Sequence, residues 1–248
     1  MARKSTKSGV YVGCAGWSVP KEHAAHFPAD GSHLERYAGT FPAVEINTSF
    51  YRPHQPKTYD RWAASVPAGF RFAVKVPRVL THERRLADPG EALEAFLAEA
   101  WSLGEKLGPL LVQLPPSLPY RPVVGRAFFQ ALRERFDGLV VCEPRHKSWF
   151  APPAEGLLTE FRVARVAADP AVVPAAAEPG GWDGLGYYRL HGSPRMYYSA
   201  YPAEALAALA IRLARDVDER PTWCIFDNTA EGAATADALD VLARLRLA

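Results

Sequence analysis

Short apolar runs typical of buried strands alternate along this chain with segments that have the spacing of amphipathic helices. Eight such runs lie at residues 10–12, 44–47, 70–76, 110–114, 139–142, 163–168, 187–191 and 222–226. Helical spacing is found at about residues 32–41, 57–66, 90–107, 122–136, 153–161, 203–216 and 233–245. Strands that alternate with helices favour an α/β fold with a parallel sheet, and eight of them predict a single closed (β/α)8 TIM barrel.

An open doubly wound sheet is the alternative arrangement of the same elements. It would place a glycine-rich dinucleotide turn after the first strand, and Gly13-x-x-Gly16 is a weak match to that pattern. The 248 residues, 48% of them hydrophobic, suffice for one barrel, which commonly has about 250 residues. We therefore predict a single domain over residues 10–248, a flexible N-terminus over residues 1–9, and an irregular connection rich in Pro, Gly and Ala near residues 170–186.

Composition limits the partners and the compartment. A formal net charge of +2 is too small to indicate nucleic-acid binding from bulk charge, although it leaves a local basic patch open. Cys14, Cys142 and Cys224 lie inside apolar runs without a Cys-x-x-Cys pair, which favours buried thiols over a metal site or disulfides. Neither a signal peptide nor a membrane-spanning run is recognised. We expect a soluble, cytoplasmic protein with no cofactor, no metal and no membrane partner; the oligomeric state stays open.

The fifth predicted strand, Leu139–Cys142, runs directly into four ionisable residues, Glu143, Arg145, His146 and Lys147. Buried strands seldom end in such a group unless the side chains face a solvent-filled site or one another. Because side chains alternate along a strand, Glu143 and Arg145 leave the same face. Taken alone, this pair fits a structural ion pair as well as a functional one.

Polar residues recur at the same end of other strands. If the apolar residues Val44, Phe72, Val74 and Val112 face the helices, the residues between them face the barrel interior. The alternation predicts one pocket at the carboxyl ends of the strands, lined by Glu45, Asn47, Lys75, Gln113, Glu143, Arg145, Arg189 and His191. Tyr187 shares that face. Asp227 and Asn228 take opposite faces after the eighth strand, and the pattern does not choose between them.

Two interpretations of these charged residues compete. The carboxylates of Glu45 and Glu143 and the cations of Lys75, Arg145 and Arg189 fit a buried, mutually neutralising network. Such a network is a poor source of stability, because desolvating each ion costs several kcal/mol. Perturbed ionisable groups also cluster at functional sites, so we favour a functional site.

Loop residues supply further candidates for substrate binding. A single histidine among them is more often a surface or capping residue than a catalyst, and a single aromatic residue is more often a core or rim residue than a stacking platform. Residues 192–201, which contain Arg195 and three tyrosines, form either an exposed loop or a lid over the site. The candidates are Trp17, Tyr51, His82, His146, Trp149, Gly192 and Asn228.

The chain carries a series of motifs in a fixed order. They are Gly13-x-x-Gly16-Trp17, Val44-Glu45-Ile46-Asn47, Phe50-Tyr51-Arg52, Phe72-Ala73-x-Lys75, Thr81-His82, Lys106-Leu107-Gly108-Pro109, Gln113-Leu114-Pro115-Pro116, Glu143-x-Arg145-His146-x-Ser148-Trp149, Tyr188-Arg189-Leu190-His191-Gly192 and Asn228-Thr229 with Gly232. This series, from about residue 10 to residue 243, resembles the YecE-like family, domain of unknown function 72. The resemblance implies a TIM barrel and no established activity.

Two positions depart from the family pattern. Cys14 and Ala15 stand where the family usually has hydroxyl residues, and Asp227 stands where it usually has a second asparagine. The missing hydroxyl at position 15 argues against a serine nucleophile on the first strand.

The first functional hypothesis is an enzyme that acts on a small anionic substrate, phosphorylated or carboxylated. Glu143, Glu45 and His191 are its candidate catalytic residues for general acid–base chemistry. Its substrate-binding candidates are the remaining inward residues and the loop residues named above. Lys75, Arg145 and Arg189 suit an anionic group, and Gly192 and Asn228 lie where barrels often bind phosphate.

Two other functions are open. A metal-dependent barrel hydrolase or isomerase would draw ligands from Glu45, Glu143, Asp169, His191 and Asp227, but neighbouring cations would repel a divalent metal and no ligand motif is present. A nucleic-acid-binding module would use rim arginines and aromatics, namely Arg52, Arg78, Arg84, Arg85 and Arg195 with their neighbours. The weak net charge counts against it.

Charge balance yields a sharper hypothesis. The inner residues bring two carboxylates, Glu45 and Glu143, and three cations, Lys75, Arg145 and Arg189. An uncompensated buried cation is costly, so this set is expected to keep spare donors for the anionic group of a ligand.

Overall fold

The computed structural model describes residues 9–247, which form an α/β fold of parallel sheets flanked by helices. The strands are β1 (Val10–Cys14), β2 (Ala43–Ile46), β3 (Arg71–Lys75), β4 (Leu107–Gln113), β5 (Val140–Glu143), β6 (Val163–Arg165), β7 (Ala167–Asp169), β8 (Gly180–Gly181), β9 (Gly186–Leu190) and β10 (Thr222–Phe226). The helices are α1 (His33–Ala38), α2 (Pro56–Ala64), α3 (Gly90–Ala100), α4 (Pro122–Arg133), α5 (Pro152–Glu160), α6 (Ala203–Asp216) and α7 (Ala233–Leu247).

The strands belong to two sheets. One has the order β2-β3-β4-β5-β6-β8 and the other the order β1-β10-β9-β7; every neighbouring pair is parallel except β6 with β8. A parallel bridge between Ala15 and Glu45 joins β1 to β2, and the Gly16 N–H donates to the Glu45 carbonyl oxygen at 3.0 Å. Only Val166 separates β6 from β7, and its N–H donates to the Cys142 carbonyl oxygen at 2.9 Å. The sheets therefore meet at β1–β2 and at β6–β7.

Apolar side chains divide between the two faces of the sheets. Residues such as Val44, Phe72 and Val112 pack with the helices in the larger cluster. Residues on the opposite side, which we call the inner face, form a second buried cluster of Ala43, Ala73, Leu111, Val141, Ala164, Val166, Leu185, Tyr187, Trp223 and Ile225. The two sets alternate along each strand because successive side chains point to opposite sides. This alternation confirms the assignment of faces predicted from the sequence.

Most element bounds lie within a few residues of those predicted, and the differences have local causes. A capping box begins α1: the Glu35 N–H donates to Ser32 Oγ, and the Ser32 N–H donates to Glu35 Oε2. The predicted helix over residues 90–107 is wrong in its second half. It ends at Ala100, a 3₁₀ turn follows, and Gly104 has a φ of +55°, which breaks the helical path before β4.

The predicted irregular connection and sixth strand also need correction. The strand over residues 163–168 is divided into β6 and β7 at Val166. Residues 170–186 contain a 3₁₀ turn, Pro174–Ala177, and the short antiparallel strand β8, so the strands are not all parallel. The predicted flexible N-terminus over residues 1–9 lies, apart from Gly9, outside the described residues.

Within residues 9–247, no helix combines the length and the apolar character that crossing a bilayer requires.

Close packing at the β1–β2 contact generates a first prediction. A Cβ atom added at Gly13 would lie 2.0 Å from the Ala43 carbonyl oxygen and 3.0 Å from the Tyr37 hydroxyl, so Gly13→Ala should force β1 and β2 apart. Overpacking of this kind destabilises by about 1–3 kcal/mol or more. Chemical denaturation should show this loss in the free energy of unfolding.

Gly156→Ala is the matched control for that substitution. Gly156 lies in α5, and a Cβ atom added there would meet nothing within 4 Å, so alanine should stabilise the protein by about 0.5–1 kcal/mol. Equal effects of the two substitutions would contradict the close approach of β1 to β2.

Candidate functional site

Arg189, on the inner face of β9, is the centre of a buried charged network. Its Nη2 donates to Glu45 Oε1 at 2.8 Å, and its Nε lies 3.1 Å from Glu45 Oε2. Its Nη1 donates to Glu143 Oε2 at 3.0 Å, and its Nη2 is also 3.0 Å from Asp227 Oδ2. The Arg189 side chain is 1% exposed. One guanidinium therefore holds three carboxylates that come from β2, β5 and the end of β10.

Two further side chains complete what we call the charged cluster: Glu45, Glu143, Arg145, Arg189, His191 and Asp227. The His191 ring bridges two carboxylates, with Nδ1 3.0 Å from Asp227 Oδ2 and Nε2 2.9 Å from Glu143 Oε1. Arg145 Nε donates to Glu143 Oε1 at 2.9 Å, and its Nη2 lies 3.0 Å from His191 Nε2. Glu143 is thus shared by three partners. Its side chain is 1% exposed, whereas that of Arg145 is 12% exposed and forms the outer edge of the cluster.

The network holds Glu143 and Asp227 ionised. Burial by itself would raise the pKa of Glu143, but His191, Arg189 and Arg145 outweigh it and hold this pKa well below 4.5. Burial likewise opposes ionisation of Asp227, and Arg189 with His191 lowers its pKa below 3.8. Arg189 is desolvated too, yet the three carboxylates raise its pKa well above its ordinary value. Opposite charges at hydrogen-bond distance prevail here over desolvation.

Lys75, at the carboxyl end of β3, differs from the other cations of the inner face. It is buried, with 6% of its surface exposed, and its Nζ lies 4.1 Å from the centre of the Phe50 ring. Within residues 9–247 its Nζ has no hydrogen bond and no ion pair, since the carboxylates are bound to Arg189, Arg145 and His191. Burial, reinforced by Arg189, lowers the pKa of Lys75 to about 8 despite the nearby carboxylates.

His82, in the turn after β3, also packs against Phe50. Its ring packs edge-on against Phe50, with centroids 4.9 Å apart, and its Nδ1 lies 2.8 Å from Thr81 Oγ1. Burial, followed by the charges of Lys75, Arg78 and Arg145, lowers the pKa of His82 to about 4. This imidazole is therefore neutral at physiological pH and offers a proton acceptor or a neutral hydrogen bond beside an amine.

Residues 192–201, the covering loop, lie over the charged cluster. Tyr197 accepts a hydrogen bond from Arg145 Nη1 at 3.3 Å and packs edge-on against His191, and Met196 Sδ is 3.5 Å from the same Nη1. The base of the loop is fixed where the Gly192 N–H donates to the Tyr201 hydroxyl and that hydroxyl donates to Asp169 Oδ2 at 2.7 Å. Gly192 has a φ of +90°, and a Cβ there would lie 2.6 Å from the Ser199 carbonyl oxygen. The first position of the loop therefore requires glycine.

The space left beside the cluster is small. A cavity of about 20 Å³ is lined by Glu143, Arg145, His191 and Met196, among others. That is room for about one water molecule. Larger cavities of about 380 and 520 Å³ lie elsewhere, one beside Phe50 and Tyr51 and the other between Asp169 and α6. In the conformation described, the covering loop fills the space over the charged groups.

Most of the inward residues predicted from the sequence are brought together. Glu45, Glu143, Arg189 and His191 are hydrogen-bonded to one another, and they are buried, as are Lys75 and Gln113. Gln113 is in register with Glu143. Asn47 is half-buried, and its Oδ1 is a buried atom with no hydrogen-bond partner.

The loop candidates are dispersed. Trp149 is a core residue, 1% exposed, whose indole N–H donates to the Leu118 carbonyl oxygen. Trp17 packs edge-on against Trp62, His146 bonds Ser148 Oγ through Nδ1, and Tyr51 is 69% exposed. The buried Asn228 amide donates to the Ser199 carbonyl oxygen and to Asp237 Oδ2. Their contacts favour packing, capping and loop-anchoring roles, so a role in substrate binding stays a prediction for them.

Asp227 is the member of the charged cluster that the sequence left undecided. The pattern contains the signal, because Trp223 and Ile225 lie on the inner face and period two continues to Asp227. Its carboxylate alters the expected charge balance: three carboxylates, Glu45, Glu143 and Asp227, face three cations, Lys75, Arg145 and Arg189, before His191 is counted. The expected surplus of one cation is therefore wrong. Lys75 nevertheless differs from Arg145 and Arg189, because its amine forms no ion pair with any of the three carboxylates.

Comparison with known proteins supports one relationship. A family model described as "Protein of unknown function DUF72" matches residues 11–248. The UPF0759 protein YunF of Bacillus subtilis (strain 168) is 30% identical over 153 residues, which are 58% of this chain and 53% of YunF. The UPF0759 protein YecE of Escherichia coli (strain K12) is 30% identical over 147 residues, 59% of this chain and 52% of YecE. The chain spans about half the length of these curated relatives.

Solved structures share the fold. A crystal structure of a DUF72 family protein from Enterococcus faecalis V583 has a TM-score of 0.79 at 24% identity and covers 96% of both chains. Another, from Thermotoga maritima MSB8, has a TM-score of 0.75 at 24% identity and covers 95% of this chain and 98% of that one. The resemblance predicted from the ordered motifs is confirmed.

Removal of Arg189 should show how strongly the cluster depends on it. Arg189→Met leaves Glu45, Glu143 and Asp227 buried without their shared partner, and breaking buried pairs in this way costs about 3–5 kcal/mol. Arg126→Met, which removes an ion pair with Glu160 at the surface, should change the free energy of unfolding little. Denaturant titration of both variants measures the contrast; equal losses would show that the buried network is no more important than a surface pair.

The depressed pKa values predict how stability responds to acid. Glu143 and Asp227 titrate lower in the folded protein than in the unfolded chain, so their contribution is present above pH 4.5 and is lost as the pH falls through their folded values. The free energy of unfolding should therefore decline below pH 4.5, and less steeply in Glu143→Gln. Denaturant titrations between pH 7 and pH 3 measure both slopes. Parallel slopes would contradict a depressed pKa at Glu143.

Proposed function

This chain belongs to the DUF72 family, and on that premise we propose that it is an enzyme acting on a small anionic substrate at the charged cluster. The observation that carries the proposal is the arrangement of cations. Arg189 is enclosed by carboxylates, whereas Lys75 and Arg145 lie beside them with donors that no carboxylate occupies. A phosphate or carboxylate group would give Lys75 the acceptor it lacks and would replace the long contacts of Arg145 with Tyr197 and Met196.

The proposal includes a closed (β/α)8 barrel. Three findings support closure: the bridge between Ala15 and Glu45, the continuity of β6 and β7 through Val166, and a second apolar cluster on the inner face. Strands β1, β2, β3, β4, β5, β6–β7, β9 and β10 would then form the ring. The charged cluster would lie at its carboxyl end, where barrel enzymes carry their active sites.

Each member of the charged cluster receives a role from its contacts. Glu143 and His191, joined at 2.9 Å and next to the small cavity, are the general acid–base pair. Glu45 is fully buried and accepts hydrogen bonds from Arg189 and the Tyr187 hydroxyl, which favours a positioning role over the predicted catalytic one. Arg189 orients Glu143 and Asp227. Lys75 and Arg145 bind the anionic group.

Substrate entry requires the covering loop to move. The cavity beside Glu143 holds about one water, so a substrate must displace Met196 and Tyr197. The contacts of Arg145 with these two residues are long, at 3.5 and 3.3 Å, and an anion would replace them with stronger charge-assisted bonds. Loop opening and substrate binding would thereby be coupled.

The contacts of the candidate metal-binding residues favour an enzyme with an anionic substrate over the metal-dependent alternative. Glu45, Glu143 and Asp227 are bound to Arg189, and Asp169 accepts a hydrogen bond from Tyr201. Within residues 9–247, no three of the His, Cys, Asp and Glu side chains are arranged to hold a metal. Nucleic-acid binding stays a prediction. We also propose a reducing, cytoplasmic setting, which the three free, buried cysteines support.

Anion binding should be visible as thermal stabilisation. Sulfate or phosphate should raise the melting temperature more than chloride does at matched ionic strength. At a concentration of about 100 Kd the gain is about 2.7 kcal/mol. For a chain of this size each kcal/mol corresponds to roughly 2–4 °C. Differential scanning fluorimetry measures the shift.

Substitutions test which residues bind the anion. Arg145→Gln and Lys75→Met should abolish the difference between sulfate and chloride, because they remove the proposed donors. Arg195→Ala is the control: Arg195 lies in the covering loop but stacks on the Tyr198 ring, 3.6 Å away, so its loss should leave the difference. Equal stabilisation of the parent protein by all anions would contradict the proposal.

A further inference from the structure

The Lys75 amine is the one nucleophilic group of the inner face, among the residues described, that the proposed acid–base step does not use. Its side chain ends at the carboxyl edge of β3, where Phe50 covers it from one side. The half-buried Lys106, by contrast, donates to the carbonyl oxygens of Ala63 and Val66. Lys75 Nζ has no such acceptor within residues 9–247. Lys75 therefore makes no structural hydrogen bond of the kind that holds Lys106 in place.

The groups around Lys75 hold the amine in a partly neutral state. Those that face it are Arg189 from β9, Glu45 from β2, Glu143 from β5, Asp227 after β10, and His82 in the turn after β3. Burial and Arg189 outweigh the carboxylates, and the pKa is about 8. Roughly a tenth of such an amine is unprotonated at pH 7, against roughly three in ten thousand at the ordinary lysine value. An amine that is desolvated beside another cation is an activated nucleophile.

We propose that Lys75 forms a covalent imine with the carbonyl carbon of a small aldehyde or ketone that also carries a carboxylate or phosphate group. This inference rests on the proposed function, since Arg145 would hold the anionic group while Lys75 attacks the carbonyl. It changes the role of Lys75 from binding to catalysis. It also specifies the substrate class as an oxo acid or a phosphorylated carbonyl compound.

The step balances without any further reactant. The lone pair of the neutral Nζ adds to the carbonyl carbon, and the carbonyl oxygen becomes the hydroxyl of a carbinolamine. That oxygen then leaves as water with the two protons that the amine gives up, and the C=N bond forms. Glu143 with His191 is placed to move a proton on the substrate carbon next to the imine, whose positive charge when protonated stabilises the resulting carbanion.

Reductive trapping tests the proposal on the full-length protein. The protein is incubated at pH 7 with glyoxylate, a small anionic aldehyde, and sodium cyanoborohydride, and peptide mass spectrometry measures the rate of carboxymethylation at each lysine. Lys75 should be modified roughly tenfold or more faster than the exposed Lys57 and the hydrogen-bonded Lys106, because more of it is neutral. Lys75→Arg, which keeps the charge, should lose this fast modification.

Two comparisons decide the outcome. Propionaldehyde, which has no charge, should show much less preference for Lys75 over the other lysines than glyoxylate does. Arg145→Gln should reduce the preference that glyoxylate shows. A Lys75 rate no greater than that of Lys57 would overturn the imine, and equal preference with propionaldehyde would overturn the anionic substrate class. The sulfate-dependent melting shift of the parent protein is measured separately. A protein that keeps this shift but shows no trapping would retain the proposed function and lose this inference.

Discussion

A single buried guanidinium determines the arrangement of the carboxyl end of the sheets. Arg189 is 1% exposed, and such a charge is tolerable only when hydrogen bonds and opposite charges surround it. Glu45, Glu143 and Asp227 meet that requirement from β2, β5 and the end of β10, so three separate parts of the chain converge on one side chain of β9. The bidentate geometry of arginine fixes where each carboxylate lies, which a lysine at this position would not do. The same contacts keep Glu143 ionised and directed at His191.

Because the carboxylates enclose Arg189, the two other cations, Arg145 and Lys75, have environments that differ from that of Arg189 and from each other. Arg145 shares Glu143 and reaches the covering loop through Tyr197, so it connects the buried network to the surface. Lys75 receives no carboxylate from the described residues, and its amine lies against the Phe50 ring next to the neutral His82. A network built only for stability would have neutralised this amine or replaced it with an apolar residue. Its position near Glu143 and His191 is the strongest structural support for the proposed active site.

Much of this arrangement follows from the sequence. Period-two alternation placed Glu45, Lys75, Glu143, Arg189 and His191 on the inner face, because apolar neighbours such as Val44 and Phe72 must meet the helices. The same logic reaches Asp227 once Ile225 is assigned to the inner face. Residue patterns do not predict contacts that depend on loop conformation. Examples are the burial of Trp149 in the core and the hydrogen bond between Tyr197 and Arg145. Division of the sixth strand at Val166 and the end of α3 at Ala100 likewise depend on packing and backbone geometry that residue types alone do not specify.

We infer that burial, together with the charge of Arg189 inside its ring of three carboxylates, leaves Lys75 as an amine with a depressed pKa. An NMR titration of the lysine side chains with ¹³C at Cε, in which Lys75 is assigned by its absence in Lys75→Arg, measures this directly. We expect the Lys75 resonance to titrate with a midpoint near 8. A midpoint at or above 10.5, the ordinary lysine value, would show that the carboxylates neutralise Lys75 after all and that the cluster is a closed structural network.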